Sequence, residues 1–171
     1  QGFVQPSVAR IEYENKAAYA QTTYEISDEF RVTTGLRYTL DTTEGTNSQM
    51  VYAGFPRSSP GAPTRAPGCV LSPATGVAPP DCRQDLDTET DAPTWLIGLD
   101  YLPTDELMLY AKYARGYRQG SLNMFAAEGV QEFDAEEVDA YEIGSKWSFD
   151  APLPGTLNVA LFYNELSDQQ L

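Results

Sequence analysis

The sequence predicts an all-β fold: an antiparallel up-and-down meander of about six strands that forms part of a larger transmembrane β-barrel. Three observations carry that expectation. Connections alternate strictly between short and very long. Tight turns fall at Ser27-Asp28-Glu29, Pro103-Thr104-Asp105 and Asp150–Gly155, while a Pro/Gly-rich excursion runs from about Thr42 to Pro93 and an acidic one from about Arg118 to Val138. The segments between them alternate apolar and polar residues with the two-residue period of a half-buried strand. Aromatic residues gather near both ends of the apolar face, as the interfacial girdles of an outer-membrane barrel do.

Taken in order, the first strand puts Ala18, Ala20, Thr22, Tyr24 and Ile26 on one face and Tyr19, Gln21, Thr23 and Glu25 on the other. The second sets Val32, Thr34, Leu36, Tyr38 and Leu40 against Arg31, Thr33, Gly35, Arg37, Thr39 and Asp41. In the third, Trp95, Ile97, Leu99 and Tyr101 oppose Thr94, Leu96, Gly98 and Asp100; in the fourth, Leu107, Leu109, Ala111 and Tyr113 oppose Met108, Tyr110, Lys112 and Ala114. The fifth sets Tyr141, Ile143, Ser145, Trp147 and Phe149 against Ala140, Glu142, Gly144, Lys146 and Ser148. The sixth sets Leu157, Val159, Leu161 and Tyr163 against Asn158, Ala160, Phe162 and Asn164. Arg37, Asp100, Lys112, Glu142 and Lys146 all fall on the polar face, and the apolar face carries no charge across these windows. Tyr24, Tyr101, Trp147 and Phe149 lie beside the short turns, with Tyr38, Trp95, Tyr141 and Tyr163 toward the long connections. Trp95 and Tyr101 are only roughly 20 Å apart along a strand, short of an apolar band of about 25 Å.

Composition narrows the function classes. Eleven Lys and Arg scattered among 25 Asp and Glu give a net charge of −14, so no basic stripe exists for nucleic acid. Histidine is absent, which removes the commonest general base and metal ligand. Neither a Gly-x-Ser-x-Gly elbow nor a Gly-rich phosphate loop occurs, so no enzyme is expected and no covalently bound cofactor. No apolar run reaches eighteen residues, which leaves strands as the only means of crossing a membrane. The chain begins at Gln1 and ends at Leu171 in mid-pattern, so a piece of a longer protein is expected. A soluble β-sandwich binding module shows the same alternation. Two structureless connections longer than about 15 residues, both on one side of the sheet, argue against it.

From Ala92 onward the residues resemble a known family. Leu107-Met-Leu-Tyr-Ala-Lys-Tyr-Ala-Arg-Gly-Tyr-Arg-Gln-Gly120 looks like the strand of TonB-dependent receptors that climbs to an outer loop. Phe133, Glu136, Tyr141-Glu142-Ile143-Gly144 and Lys146 resemble the next strand, followed in order by Leu157–Tyr163 and Asp168-Gln169. Ala18–Tyr24 and Arg31–Tyr38 resemble the preceding hairpin. The resemblance implies a plugged outer-membrane barrel of about 22 strands that imports a large, scarce nutrient with energy from the TonB complex. A ferric siderophore is the leading ligand, and a passive porin-like channel is the alternative within the same architecture. Residues 1–171 are then one partial barrel domain with outer loops at about 42–93 and 118–138 and no plug domain. Contact with TonB would come through a missing N-terminal region, and the barrel wall would meet outer-membrane lipid and lipopolysaccharide. Arg37, Lys112, Glu142 and Lys146 are expected to face the lumen and to pair with one another or with the plug.

Three sets of residues are candidates for chemistry. Cys69 and Cys82 both lie in the long connection, and an oxidising compartment favours a disulfide between them, worth around 3 kcal/mol on the chain-entropy model. Pro73, Pro79 and Pro80 stiffen the stretch they would enclose. Asp85, Asp87, Glu89 and Asp91 alternate, so an extended strand projects them from one face. Two readings stand open for that file: a solvated edge, or oxygen ligands for Ca²⁺ or Mg²⁺ bridging to lipopolysaccharide phosphate. The second excursion, Glu128 to Asp139, holds six acids and no base. Tyr113, Arg115, Tyr117 and Arg118 flank its start. Arginine beside tyrosine suits a grip on an anionic aromatic ligand such as a ferric catecholate, and equally an interfacial anchor.

Overall fold

The computed structural model describes residues 3–53, 68–69, 82–126, 129–150 and 152–170. Their regular structure is entirely strand: β1 (Phe3–Val4), β2 (Ser7–Glu25), β3 (Phe30–Ala53), β4 (Gly68–Cys69), β5 (Arg83–Thr104), β6 (Leu107–Arg118), β7 (Ser121–Leu122), β8 (Glu132–Phe133), β9 (Glu136–Phe149) and β10 (Gly155–Ser167). The main sheet runs β1-β3-β5-β6-β9-β10, with β2 and β4 also paired to β3, and β7 and β8 form a separate two-stranded ladder. The six long strands are those the alternation predicts, in up-and-down order.

Turn chemistry explains the short connections. At the first turn the Ser27 hydroxyl accepts hydrogen bonds from the Glu29 and Phe30 amides at 3.3 and 3.2 Å. At the second, Thr104 does the same for Glu106 and Leu107 at 3.3 and 3.2 Å. A hydroxyl bonded two and three residues ahead replaces the ladder bonds that the backbone gives up in reversing direction. The third turn, at Asp150–Gly155, includes Ala151, which lies outside the described residues.

The chain divides into two compact units. The ladder unit comprises Asn15–Asp41, Thr90–Gly120 and Asp134–Leu171; the strap unit comprises Gln1–Glu14, Thr42–Glu89 and Ser121–Phe133. Strands β2, β3 and β5 contribute residues to both.

In the ladder unit, β6 and β9 pair without a register break from Leu107↔Trp147 to Arg118↔Glu136. β9 and β10 do the same from Phe149↔Gly155 to Glu137↔Ser167. Unbroken register keeps the two faces read from the alternation intact across β6, β9 and β10. The apolar face finds no cover: Leu36 is 60% exposed, Ile97 53%, Ile143 58% and Leu161 68%. Its aromatics stack in two groups. Phe30 lies on Tyr101 with ring centroids 4.6 Å apart, and Trp147 meets Phe149 at 5.4 Å, both beside the short turns. Farther along the strands, Tyr113, Tyr141 and Tyr163 form a row with centroid spacings of 4.9 and 6.3 Å. A soluble sandwich would bury such a face against a second sheet, and these side chains stand exposed.

The strap unit differs from the sequence reading. The connection expected from about 42 to 93 is strand for much of its length, since β3 continues to Ala53 and β5 begins at Arg83. Thr43, Asn47 and Gln49 are almost fully buried, and so is Gly45. Alternation therefore persists in a file of small polar residues that a hydropathy criterion reads as loop. The second excursion likewise contains β7 and β8, paired Ser121↔Phe133 and Leu122↔Glu132. Pro73, Pro79 and Pro80 lie outside the described residues.

Candidate functional site

The polar face of the ladder unit holds one connected group. Lys112 pairs with Glu142 at 3.3 Å, and the Tyr110 hydroxyl donates to the same carboxylate at 2.6 Å. The far end of the Tyr110 side chain lies against Gly144, where an added Cβ would stand 2.6 Å from ring atoms, so a side chain at 144 would displace the tyrosine. The Lys146 ammonium sits 5.6 Å from the centroid of the same ring. Three of the four side chains expected on the lumen side thus meet around one tyrosine. The fourth, Arg37, donates to Thr39 at 3.0 Å. Asp41, 3% exposed, accepts from the Asn15 amide at 2.5 Å and from the Tyr117 hydroxyl. A buried carboxylate needs such donors, because its desolvation is otherwise uncompensated.

Of Tyr113, Arg115, Tyr117 and Arg118, the first two meet on Asp139, while Tyr117 and Arg118 go to other partners. Arg115 forks onto Asp139, reaches Glu137 at 3.5 Å, and lies 4.9 Å over the Trp95 ring. Tyr113 donates to Asp139 at 2.7 Å. This cluster keeps the parity of the apolar face, next to the tyrosine row. Tyr117 is committed to Asp41 instead, where β6 has passed the last β5 partner, Trp95↔Arg115. Pro93 has no amide hydrogen to extend that ladder. Arg118, of opposite parity, pairs with Glu136 at 3.6 Å.

In the strap unit, Leu122 and Met124 pack on the buried file of β3. Met124 is 2% and Leu122 5% exposed. A Cβ on Gly45 would lie 2.5 Å from the Met124 sulfur and 3.0 Å from Leu122 Cδ1, so the notch exists because residue 45 is glycine. Asn47 Nδ2 donates to the Met124 carbonyl at 2.5 Å, and Gln84 and Gln131 exchange amide hydrogen bonds at 3.3 and 3.2 Å. Cys69 and Cys82 are disulfide-bonded, 13 residues apart in sequence. The bond ties β4, paired to β3 at Met50↔Cys69, to the start of β5. None of Gly45, Asn47 or Met124 stood out in the sequence; the available signal was the strict spacing Thr39-x-Asp41-x-Thr43-x-Gly45-x-Asn47-x-Gln49.

Asp85, Asp87, Glu89 and Asp91 are all exposed on one face of β5, as their alternation requires. They are spread along the strand, and among the described residues no three acids gather to hold a metal ion. Asp85 accepts from Thr46 at 2.9 Å and from Arg83 at 2.9 and 3.1 Å. The Thr46 hydroxyl first, then the Arg83 guanidinium, hold its carboxyl below the usual range. Asp91 accepts from the Tyr38 hydroxyl at 2.9 Å.

A family model described as TonB dependent receptor-like, beta-barrel matches residues 3–171. The chain belongs to the TonB-dependent receptor β-barrel family. That family membership agrees with the resemblance read from Leu107–Gly120 and its flanking strands. TonB-dependent receptors are outer-membrane β-barrels and transport receptors rather than enzymes, which places this segment in the outer membrane. Pesticin receptors of Yersinia enterocolitica and Yersinia pestis are 26% identical over 160 residues, covering 92% of this chain and 20% of theirs. The ferric yersiniabactin uptake receptor FyuA from Yersinia pestis superimposes with a TM-score of 0.71 at 21% identity, over 98% of this chain and 22% of that one. The ferric-catecholate import receptor Fiu from K12 E. coli gives 0.64 at 20% identity, over 92% and 22%. The chain therefore spans about a fifth of the length of these receptors.

Proposed function

We propose that this chain is barrel wall and outer connection of a receptor that imports a ferric siderophore with energy from the TonB complex. The observation that carries this reading is the uncovered apolar face of the ladder unit, banded by two aromatic groups, in a chain matched by the TonB-dependent receptor barrel over residues 3–171. Two of its structural neighbours are receptors for ferric siderophores by name, ferric yersiniabactin and ferric catecholate. In this reading the apolar face meets lipid, and Lys112, Glu142, Lys146 and Arg37 face the lumen and the plug. Arg115, Asp139 and Trp95 anchor the wall at the membrane–lipopolysaccharide boundary, so siderophore contact falls to groups other than Arg115 and Tyr113.

The test is uptake of radioiron siderophores by cells expressing the full-length receptor as their sole candidate importer, with and without a functional TonB complex. Accumulation is expected only when TonB is present and only for a subset of siderophores. Uptake that persists without TonB and rises linearly with concentration would instead mark a passive porin-like channel.

A further inference from the structure

Cations are scarce in this chain, at eleven against 25 acids, yet two of them share one groove in the strap unit. Val8, Arg10, Thr46, Ser48, Met50 and Arg83 line a groove of about 530 Å³. Its shape follows from side-chain size. β3 supplies the short Thr46 and Ser48 to the floor, while β2 and β5 on either flank supply the long Arg10 and Arg83 as walls. The Met50 amide donates to the Pro6 carbonyl at 3.1 Å, and antiparallel counting from that bond sets Arg10 beside Thr46 and Val8 beside Ser48. On the other flank, Thr46 donates to Asp85, two residues from Arg83.

Each guanidinium is steadied from one edge by an acid two residues along its own strand: Arg10 by Glu12, and Arg83 by Asp85 at 2.9 Å. A guanidinium has five N–H donors in a fixed fork, so one carboxylate leaves donors directed elsewhere. Among the described residues no carboxylate lines this groove. The acids Glu12 and Glu44 line a smaller neighbouring cleft of about 240 Å³.

We propose that this groove binds a phosphate group carried on an apolar body. Paired guanidinium forks match the oxygens of a phosphate, and Val8, 70% exposed, together with Met50 offers apolar contact beside them. The phosphate has two possible sources, a phosphorylated lipid headgroup of the surrounding leaflet or a phosphate in solution. The site is independent of which siderophore the receptor carries.

The experiment uses the full-length receptor as wild type, as the double variant Arg10→Gln/Arg83→Gln, and as Arg10→Lys/Arg83→Lys. Each is titrated with inorganic phosphate. Each is also reconstituted in phosphatidylcholine nanodiscs doped with phosphatidic acid, with retained lipid counted by mass spectrometry. The glutamine pair is expected to weaken binding at least about tenfold, the loss of one charge-assisted hydrogen bond, and the lysine pair, which keeps the charge without the fork, is expected to fall between it and wild type. A loss confined to the lipid probe identifies the headgroup, and a loss confined to inorganic phosphate identifies the soluble anion. Equal binding by wild type and the glutamine pair, or no binding of either probe by wild type, overturns the proposal. Siderophore uptake by the glutamine pair is expected to be unchanged. That readout reports folding, and separates failure of this site from failure of the transport reading.

Discussion

In the ladder unit the large apolar side chains Leu36, Ile97, Ile143 and Leu161 are exposed on one face, and Lys112 pairs with Glu142 on the other. In the strap unit the buried set is Thr43, Asn47, Gln49, Gln131, Leu122, Met124 and Cys82. One unit has an apolar surface that requires a partner outside the chain. The other is stabilised from within, by a small packed cluster, amide hydrogen bonds and a disulfide. The same strand, β3, serves both, and only the residues at alternate positions change. The difference locates the cost of folding: the ladder unit needs a partner outside the chain, lipid in the reading proposed above, and the strap unit meets it by its own contacts.

The sharpest way to break this comparison is to charge the apolar face. Ile143→Arg places a guanidinium between the Tyr141 and Trp147 levels and is expected to cost about 2–4 kcal/mol in a bilayer. Asn164→Arg, of opposite parity on β10, should cost far less. Urea midpoints of the full receptor in phospholipid vesicles measure both. Equal effects would mean that the apolar face is not lipid-exposed.

Reduction is next in size and should act on the strap unit alone. Replacing Cys69 and Cys82 by serine reopens a 13-residue separation and is expected to remove about 3 kcal/mol on the chain-entropy model. Hydrogen exchange should quicken at 47–52 and 83–86 and stay unchanged at the β9–β10 pairing. A matching loss of protection in β9 and β10 would show that the two units unfold as one.

Met124→Ala should cost about 2 kcal/mol, at the low end for truncating a buried methionine, because an exposed hairpin can settle into the space. The effect should again be confined to the strap unit, as lost protection of Asn123 and Ala126. Gly45→Val should act in the same direction, since its side chain occupies the notch that Met124 fills.

The ladder unit was largely legible in the sequence because its strands obey a single rule. One parity is mainly apolar and the other mainly polar, and hydroxyl turns mark the reversals at Ser27 and Thr104. The strap unit was not. Its buried file, Thr43, Gly45, Asn47 and Gln49, carries no hydropathy signal, since these side chains are buried for size and hydrogen bonding. Residues 113–118 illustrate the limit for the site. Arg115 and Tyr117 look equivalent in sequence, yet pairing leaves Arg115 on Asp139 and Glu137, and Tyr117 on Asp41, once Pro93 has ended the β5–β6 ladder. Partner choice of that kind depends on where the neighbouring strand's ladder stops, a signal that lies at Pro93 and not within residues 113–118.

The smallest expected effect is acid sensitivity at the exposed side of the strap unit. The Thr46 hydroxyl, followed by Arg83, lowers the Asp85 pKa. A carboxylate depressed in the folded state contributes stability that is fully present above its ordinary pKa and is lost as pH falls through the folded value. Acidification should therefore loosen the β3–β5 pairing near Asp85. Thr46→Val removes the largest cause of the shift and leaves Arg83 in place. The variant should start slightly less protected near neutral pH and lose less on acidification. Exchange rates of the 84–87 amides between about pH 6 and about pH 3, corrected for their intrinsic pH dependence, give that difference. If wild type and variant lose protection in parallel, the Thr46 hydrogen bond makes no contribution, and Arg83 alone sets the charge state of the acidic file at its first member.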